Sequence, residues 1–378
     1  MKSDDWIDGA AACALLGVKA QTLYAYVSRK QIRVLADPAD ARRSLYARTD
    51  VIALQRSNRR PRARAAVAEQ AIRWGDPVLS TAISELRNGV VWVRGRSILS
   101  CAQDMTLEEV AAHLWQVESV TSPAVTPPQR AARPLARAMT YLSGEVSDAR
   151  PLAALPSAAV ARIGGTLMSG VANALLGQAA GGPIHERFAQ TWGVNAQEAE
   201  ALRRALVLLS DHELNPSTFA VRVAASTGAS LPAALLSGMA TLSGPRHGGA
   251  GHLAQRAIRA ELSGATDRFL AEHAADPPYA FGFGHPLYPD GDPRAVDLRA
   301  ALPAAHPAHL ALARLSALLG IPANIDGALA VLGLTFDLPE DAAFILFATG
   351  RLAGWIAHAR EQAQSGEIIR PRARYAAP

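Results

Sequence analysis

Three histidines set in turns, one aspartate at the start of a helix and two arginines are the residues of this 378-residue chain best suited to chemistry. His247 stands in Ser243–His252, S-G-P-R-H-G-G-A-G-H, where Gly244-Pro245 turn the chain and Gly248-Gly249 let a ligand come close to the backbone. By itself this is a loop whose histidine either meets a substrate or faces water. His212 lies in Asp211–Thr218, D-H-E-L-N-P-S-T, in which Asn215-Pro216 is a helix cap and first-turn pair. The turn between two helices therefore holds His212, to cap a carbonyl or to reach a ligand. His285 closes the run Y-A-F-G-F-G-H from Tyr279, whose glycines lack the strand-turn-helix setting and the G-K-S/T of a phosphate loop. Arg294 ends the turn P-D-G-D-P-R. Asp326 follows P-A-N-I at a helix start, as a plain N-cap or as a carboxylate aimed into a site. Arg351 interrupts the apolar surface of Phe344, Ile345, Leu346, Leu352, Trp355 and Ile356. A guanidinium there needs an anion or a carboxylate partner, because burying it unpaired is costly.

The elements that must hold these residues are helices. Apolar residues make up 49% of the chain and charged residues 19%, enough for a large core and too apolar for disorder. The apolar content is mostly alanine and leucine with few β-branched runs, which predicts a mainly α protein, and the length predicts two or three folding units. Thr106–Trp115 carries a capping box at Thr106 and Glu109; Ala196–Leu209 is a buried helix; the last helix runs from near Pro339 to about Gln364, with Gly366 as its stop. V-V-W-V-R-G-R, within 77–98, predicts a short hairpin. Proline clusters at 122–134 and 151–156 are loops within one domain, and no repeat of fixed period is present. No secretory signal opens the sequence and no uninterrupted apolar segment approaches about 18 residues, so a soluble, cytoplasmic protein without membrane contact is expected. Cys13 and Cys101 lie far apart without C-x-x-C context and read as small core residues; neither a disulfide nor a metal site is expected.

The charge is concentrated at one end. Residues 1–64 hold 13 Lys and Arg against 6 Asp and no Glu, a net +7, whereas the whole chain is +5. Asp8 caps a helix through Leu16 with Gly17 at its end; Ala20–Ser28 is a second helix with Leu23, Val27 and Tyr26 inward. Ile32–Leu35 and Ser44–Tyr46 are strands joined by the turn Asp37–Asp40, and a helix starts at Thr49 or Asp50. This helix-turn-helix with a small wing resembles the DNA-binding domain of the MerR and excisionase type, on Ala11-Ala12, Leu16-Gly17-Val18 and Thr22-Leu23-Tyr24-Ala25-Tyr26-Val27. One departure is Lys19, where the family often has a serine or threonine cap. The resemblance implies that Gln21, Thr22, Tyr24 and Tyr26 face or flank a groove, with Arg29, Lys30, Arg42 and Arg43 near phosphates. The alternative is a docking module with solvated arginines. It spans residues 1–57, a basic linker 58–69 follows, and the main domain takes 70–378.

Over about residues 75–378 the order of motifs resembles the citrate synthase family. D-H-E-L-N at Asp211, G-P-R-H-G-G at Gly244, G-F-G-H at Gly282, D-P-R at Asp292, N-I-D at Asn324, the helix arginine Arg351 and R-P-R-A-R-Y from Arg370 carry it. The resemblance implies an all-helical large domain with a small one at about 251–338, and condensation of acetyl-CoA or propionyl-CoA with oxaloacetate. Asp326 would be the base, with His247 and His285 as the other two catalytic residues. Arg294, Arg351 and His212 would hold oxaloacetate, with Arg370 supplied across a homodimer interface, and higher assembly is open. Acyl-CoA is a cosubstrate, and no cofactor is bound permanently. Gly282, Gly284, Arg372 and Arg374 are the candidate CoA contacts. Three departures stand out: Pro286 and Pro289 replace an arginine and a lysine, Gly251-His252 replaces Asn-Glu, and Gly327-Ala328-Leu329 follows Asp326. A larger acyl pocket would admit propionyl-CoA and yield 2-methylcitrate. The alternative function is a DNA-binding regulator whose body senses a metabolite.

Overall fold

The computed structural model describes residues 6–28, 31–37, 40–58, 79–127, 133–146, 152–372 and 375, and the chain divides into two compact units, Met1–Ser80 and Thr81–Pro378. In the first, Asp8 accepts a hydrogen bond from Ala11 N at 2.7 Å and opens α1 (Gly9–Leu16), which stops at Gly17 with φ 65°. α2 (Ala20–Ser28) follows. The strands β1 (Trp6–Asp8), β2 (Val34–Asp37) and β3 (Asp40–Ala47) pair antiparallel in the order β1-β3-β2, and α3 (Arg48–Asn58) completes the unit. β1 escapes the sequence reading because three residues are too few to display alternation. Ala12, Leu23, Ile32, Tyr46 and Val51 form the core, with Tyr26 and Val27 against it. Arg33 donates to Asp50 through its backbone N, Nε and Nη2, each at 2.9 Å, and that bonding holds the Asp50 carboxyl down at about 2. Arg29, Lys30, the Arg42 side chain and residues 59–69 of the expected linker lie outside the described residues.

The second unit is mainly α. A sheet of β4 (Ser84–Arg87), β5 (Val90–Val93) and β6 (Arg96–Ser97) enters it, so the expected hairpin gains a third strand. Its turns are Asn88-Gly89 and Arg94-Gly95, all four at positive φ, the geometry that two-residue hairpins demand. The helices are α4 (Ile98–Asp104), α5 (Leu107–Trp115), α6 (Pro134–Val146), α7 (Ser157–Leu176), α8 (Ile184–Trp192), α9 (Ala196–Leu208), α10 (Pro216–Ser226), α11 (Leu231–Leu242), α12 (Ala250–Leu262), α13 (Thr266–Glu272), α14 (Pro293–Ala300), α15 (Pro307–Leu319), α16 (Ile325–Thr335) and α17 (Ala342–Ser365). Thr106 and Glu109 cap α5 reciprocally, and Cys101 is fully buried in α4.

α17 is the axis of this unit. It starts at Ala342, three residues after Pro339, because Pro339 to Asp341 form the preceding turn. Helices α5, α7, α9, α10 and α11 pack around it. Contrary to expectation, α7 and α17 are long and apolar enough to cross a membrane by length and composition alone. Their apolar windows are 67% and 94% buried inside the unit, which makes them core helices in this fold. α12, α14, α15 and α16 pack mainly on one another.

Close approach explains one glycine of α17. A Cβ at Gly354 would run into Asp211 Oδ1 and the Ser210 carbonyl, which accepts the Gly354 N–H at 2.9 Å. Gly354→Ala is therefore expected to destabilise the body by about 2–3 kcal/mol, read as a lower denaturation midpoint at unchanged slope.

Candidate active site

Each expected histidine arrives on a turn, and one ring nitrogen of each is already engaged. His212, in the turn between α9 and α10, has Nε2 at 2.6 Å from the Tyr288 hydroxyl. His285 Nδ1 accepts the Leu287 N–H at 3.2 Å, which places its ring proton on Nε2. His247 Nε2 lies 2.8 Å from Ser217 Oγ in the first turn of α10, and that hydroxyl is also 2.7 Å from Asn215 Oδ1. Asn215 itself caps α10 through Thr218 N, as its pairing with Pro216 predicted. All three imidazoles are kept neutral. Burial first, then Arg351 for His247 and Arg294 for His285, lower them to about 4, and the same causes push His212 well below its usual value.

The glycines of the two histidine loops have tasks of their own. A Cβ at Gly248 would meet the Leu242 carbonyl at 2.6 Å, and one at Gly249 would meet Pro245 Cα at 2.8 Å. That pair folds its own loop tightly, a task beside the ligand approach expected of it. Gly282 and Gly284 sit at φ 96° and 72°, and Asn324 ties both to the start of α16 through its backbone N to Gly282 O and its Nδ2 to Gly284 O.

Asn324 also decides what Asp326 is for. Its Oδ1 caps α16 by accepting Asp326 N at 2.9 Å and Gly327 N at 3.3 Å, so the cap is Asn324 and the Asp326 carboxylate is left unspent. Burial raises Asp326 to about 7 against the opposing pull of Arg294 and Arg351. A carboxylate near neutrality suits proton abstraction.

The two arginines are buried in contrasting ways. Arg294 is 2% exposed and forms a fork with Asp292, Nε to Oδ1 at 3.0 Å and Nη2 to Oδ2 at 2.8 Å, and this pairing raises it despite burial. Arg351 is 1% exposed and its Nε and Nη1 have no hydrogen-bond partner among the described residues. It stands 5.1 Å from the Phe347 ring, which in turn is 5.8 Å from His247, and burial lowers it to about 10. Asp211 faces it electrostatically. A buried guanidinium with unspent donors is a receptor for an anion.

Tyr288 completes the group and was missed in the sequence, where it reads as part of a departure next to Pro286 and Pro289. It is 3% exposed, its ring 5.0 Å from His285 and 5.4 Å from the Arg294 guanidinium. Its position three residues after His285 was the available signal. Ser217 and Asp292 were also passed over, the first as a polar residue in a helix start, the second as the acid before Pro293-Arg294. His212 bonds Tyr288 and not the carbonyl considered for it. Arg370 and Arg372 are exposed beyond α17, with no bond to these groups among the described residues, and Arg374 lies outside them. No cluster of three or more His, Cys, Asp or Glu able to hold a metal occurs among the described residues. In the first unit Gln21, Thr22, Tyr24 and Arg43 are exposed.

Residues 149–372 match the family model described as citrate synthase, C-terminal domain. The chain is 31% identical over 203 residues to citrate synthase 2 of Bacillus subtilis, covering 48% of this chain and 52% of that protein. It is 35% identical over 189 residues to a citrate synthase of Haloferax volcanii, covering 47% and 50%. The chain thus spans about half the length of these relatives. The fold is shared with citrate synthase from Thermotoga maritima (TM-score 0.62, 24% identity, 82% of this chain and 96% of that one). It is shared too with a ternary complex of carboxymethyl coenzyme A and oxaloacetate with citrate synthase from Thermoplasma acidophilum (TM-score 0.63, 22% identity, 80% and 94%).

A carboxylate raised to about 7 in the folded state and near 4 when unfolded costs stability as pH rises through that window, because the folded form holds its proton longer. Asp326→Asn is expected to be more stable than the parent at pH 8, by about 1–3 kcal/mol, with the difference closing by pH 4. Urea unfolding at both pH values checks this.

Proposed function

The chain belongs to the citrate synthase family, and on that premise we propose that it is an acyltransferase condensing acetyl-CoA or propionyl-CoA with oxaloacetate, then hydrolysing the thioester to citrate or 2-methylcitrate and free CoA. The observation that carries this reading is the composition of the site: one unspent carboxylate near neutrality among neutral imidazoles and a buried guanidinium with unbonded N–H groups.

Oxaloacetate is a dianion, which Arg351, Arg294 and His212 are chemically fitted to hold. A homodimer in which the partner's Arg370 adds a further cation is part of the proposal. Asp326 takes the α-proton of the acyl-CoA. Ser217 Oγ, 2.8 Å from His247 Nε2, orients that imidazole, and His247 donates a ring N–H to the thioester oxygen as it becomes an enolate. The enol carbon attacks the ketone carbon of oxaloacetate, and His285 Nε2–H hydrogen-bonds the oxygen as it gains charge. Water then cleaves the CoA thioester of the product. Neutral histidines suit these roles, since a neutral donor stabilises the enolate without pulling the base's charge away. For CoA, Gly282, Gly284, Arg372 and Arg374 remain the proposed contacts.

The exposed Gln21, Thr22, Tyr24 and Arg43 favour a second reading for the first unit, a DNA-binding module of the helix-turn-helix type. Salt-sensitive binding to duplex DNA by the full chain is its test, and its absence with and without oxaloacetate removes the reading.

The enzyme reading predicts oxaloacetate-dependent thiol release from one or both acyl-CoAs, and no turnover with either by the folded protein overturns it. kcat/KM is expected to fall about tenfold per pH unit below pH about 7, as the base becomes protonated. Ser217→Ala is expected to lower kcat about 10- to 100-fold with oxaloacetate binding retained.

A further inference from the structure

Tyr288 is clamped at both ends of its backbone. Its N–H donates to His285 O at 2.8 Å and its carbonyl accepts from Gly291 N at 3.1 Å. The ring is thereby fixed between His212, His285 and Arg294, with centroid distances of 5.6 Å and 5.0 Å to the imidazoles. The hydroxyl ends 2.6 Å from His212 Nε2, short for a bond between neutral groups. Two proton placements satisfy that distance, phenol to imidazole or imidazole to phenol. A phenol O–H is a better donor than an imidazole N–H, and an imidazole nitrogen a better acceptor than a phenol oxygen, so the first placement prevails. The surroundings keep both partners neutral: burial pushes Tyr288 up to about 12 and His212 well down.

We propose that Tyr288 is a positioning residue whose hydroxyl donates to His212 Nε2 and so fixes His212 as the Nδ1–H tautomer, the form that donates to a carboxylate of a bound 2-oxo dicarboxylate. The inference rests on the reading that this site takes oxaloacetate. Without the hydroxyl, His212 populates the other tautomer as well, and that form turns a lone pair on Nδ1 toward an anion that needs a donor. The phenyl ring has a separate task as packing beside Arg294 at 5.4 Å, which phenylalanine retains.

The test is a double-mutant cycle with the full chain: parent, Tyr288→Phe, His212→Asn and the double variant, with oxaloacetate affinity measured by calorimetry and KM and kcat by thiol release. Tyr288→Phe is expected to weaken oxaloacetate binding about tenfold and to change kcat at saturation by less than about threefold. In the His212→Asn background the same change is expected to alter affinity by less than about twofold. Equal losses in both backgrounds overturn the proposal, because Tyr288 then acts without His212; so does a loss confined to kcat, which would place the hydroxyl in the chemistry itself. Nitrogen-15 shifts of the His212 ring in the parent protein read the tautomer without any substitution, and a protonated Nε2 overturns the proposal whether or not Tyr288→Phe folds. A parent protein that binds no oxaloacetate refutes the reading of the site, while the ring shifts still decide the tautomer.

Discussion

A buried guanidinium with unspent donors is the constraint around which this body is built. Arg351 sits on a helix whose apolar window is 94% buried, where a lone cation is expensive, and two of its nitrogens make no hydrogen bond among the described residues. The compensation runs down one face of α17. Arg351, Gly354, His358 and Glu361-Gln362 recur at spacings of three and four, so they form a stripe facing α10 and the turn before it. Asp211 supplies the opposing charge and is held by His358 Nε2 at 3.1 Å. His358 Nδ1 is 3.0 Å from Arg222 Nη1, and Arg222 bonds Glu361 at 2.7 Å and Gln362 at 3.0 Å. Asp211 thereby stays charged in a fully buried setting, where burial opposes its ionisation and His358, Arg351 and Ser84 together outweigh it. It lends Arg351 charge without taking its hydrogen bonds.

Much of this was legible in the residues. The caps at Asp8, Thr106, Asn215 and Gly366 follow from local chemistry, and the structure places helix ends where those residues stand. Arg351 announced its need for an anion simply by interrupting an apolar surface. Other features were beyond a reading of neighbours. Whether Asp326 or Asn324 capped α16 depended on which side chain folds back onto the helix, and two candidates two residues apart look alike in sequence. Tyr288 owes its importance to His212, 76 residues earlier, and no local pattern pairs them. The polar stripe of α17 was hidden by the same property that identified the helix, its high overall apolarity. The short strands β1 and β6 depend on partners across the sheet and carry too little alternation to stand out.

The contrast between the arginines extends to how the site holds its shape. Asp292 forks onto Arg294, accepts Arg294 N at 3.0 Å as the cap of α14, and takes Ile325 N at 3.0 Å at the start of α16. One carboxylate therefore fastens the Arg294 guanidinium and the helix that carries Asp326 to each other. Asn324 adds the loop of His285 to the same assembly through Gly282 and Gly284. Asp326, His285, Tyr288 and Arg294 consequently behave as one preformed block, with Arg294 already neutralised by its own acid. Arg351, His247 and Ser217 stand on α17, the loop after α11 and α10, outside that block. A dianion that bonds Arg351 on one side and the block on the other replaces the hydrogen bonds that Arg351 Nε and Nη1 lack among the described residues. The energy of that contact is then available to draw the two sets of groups together around the reacting atoms.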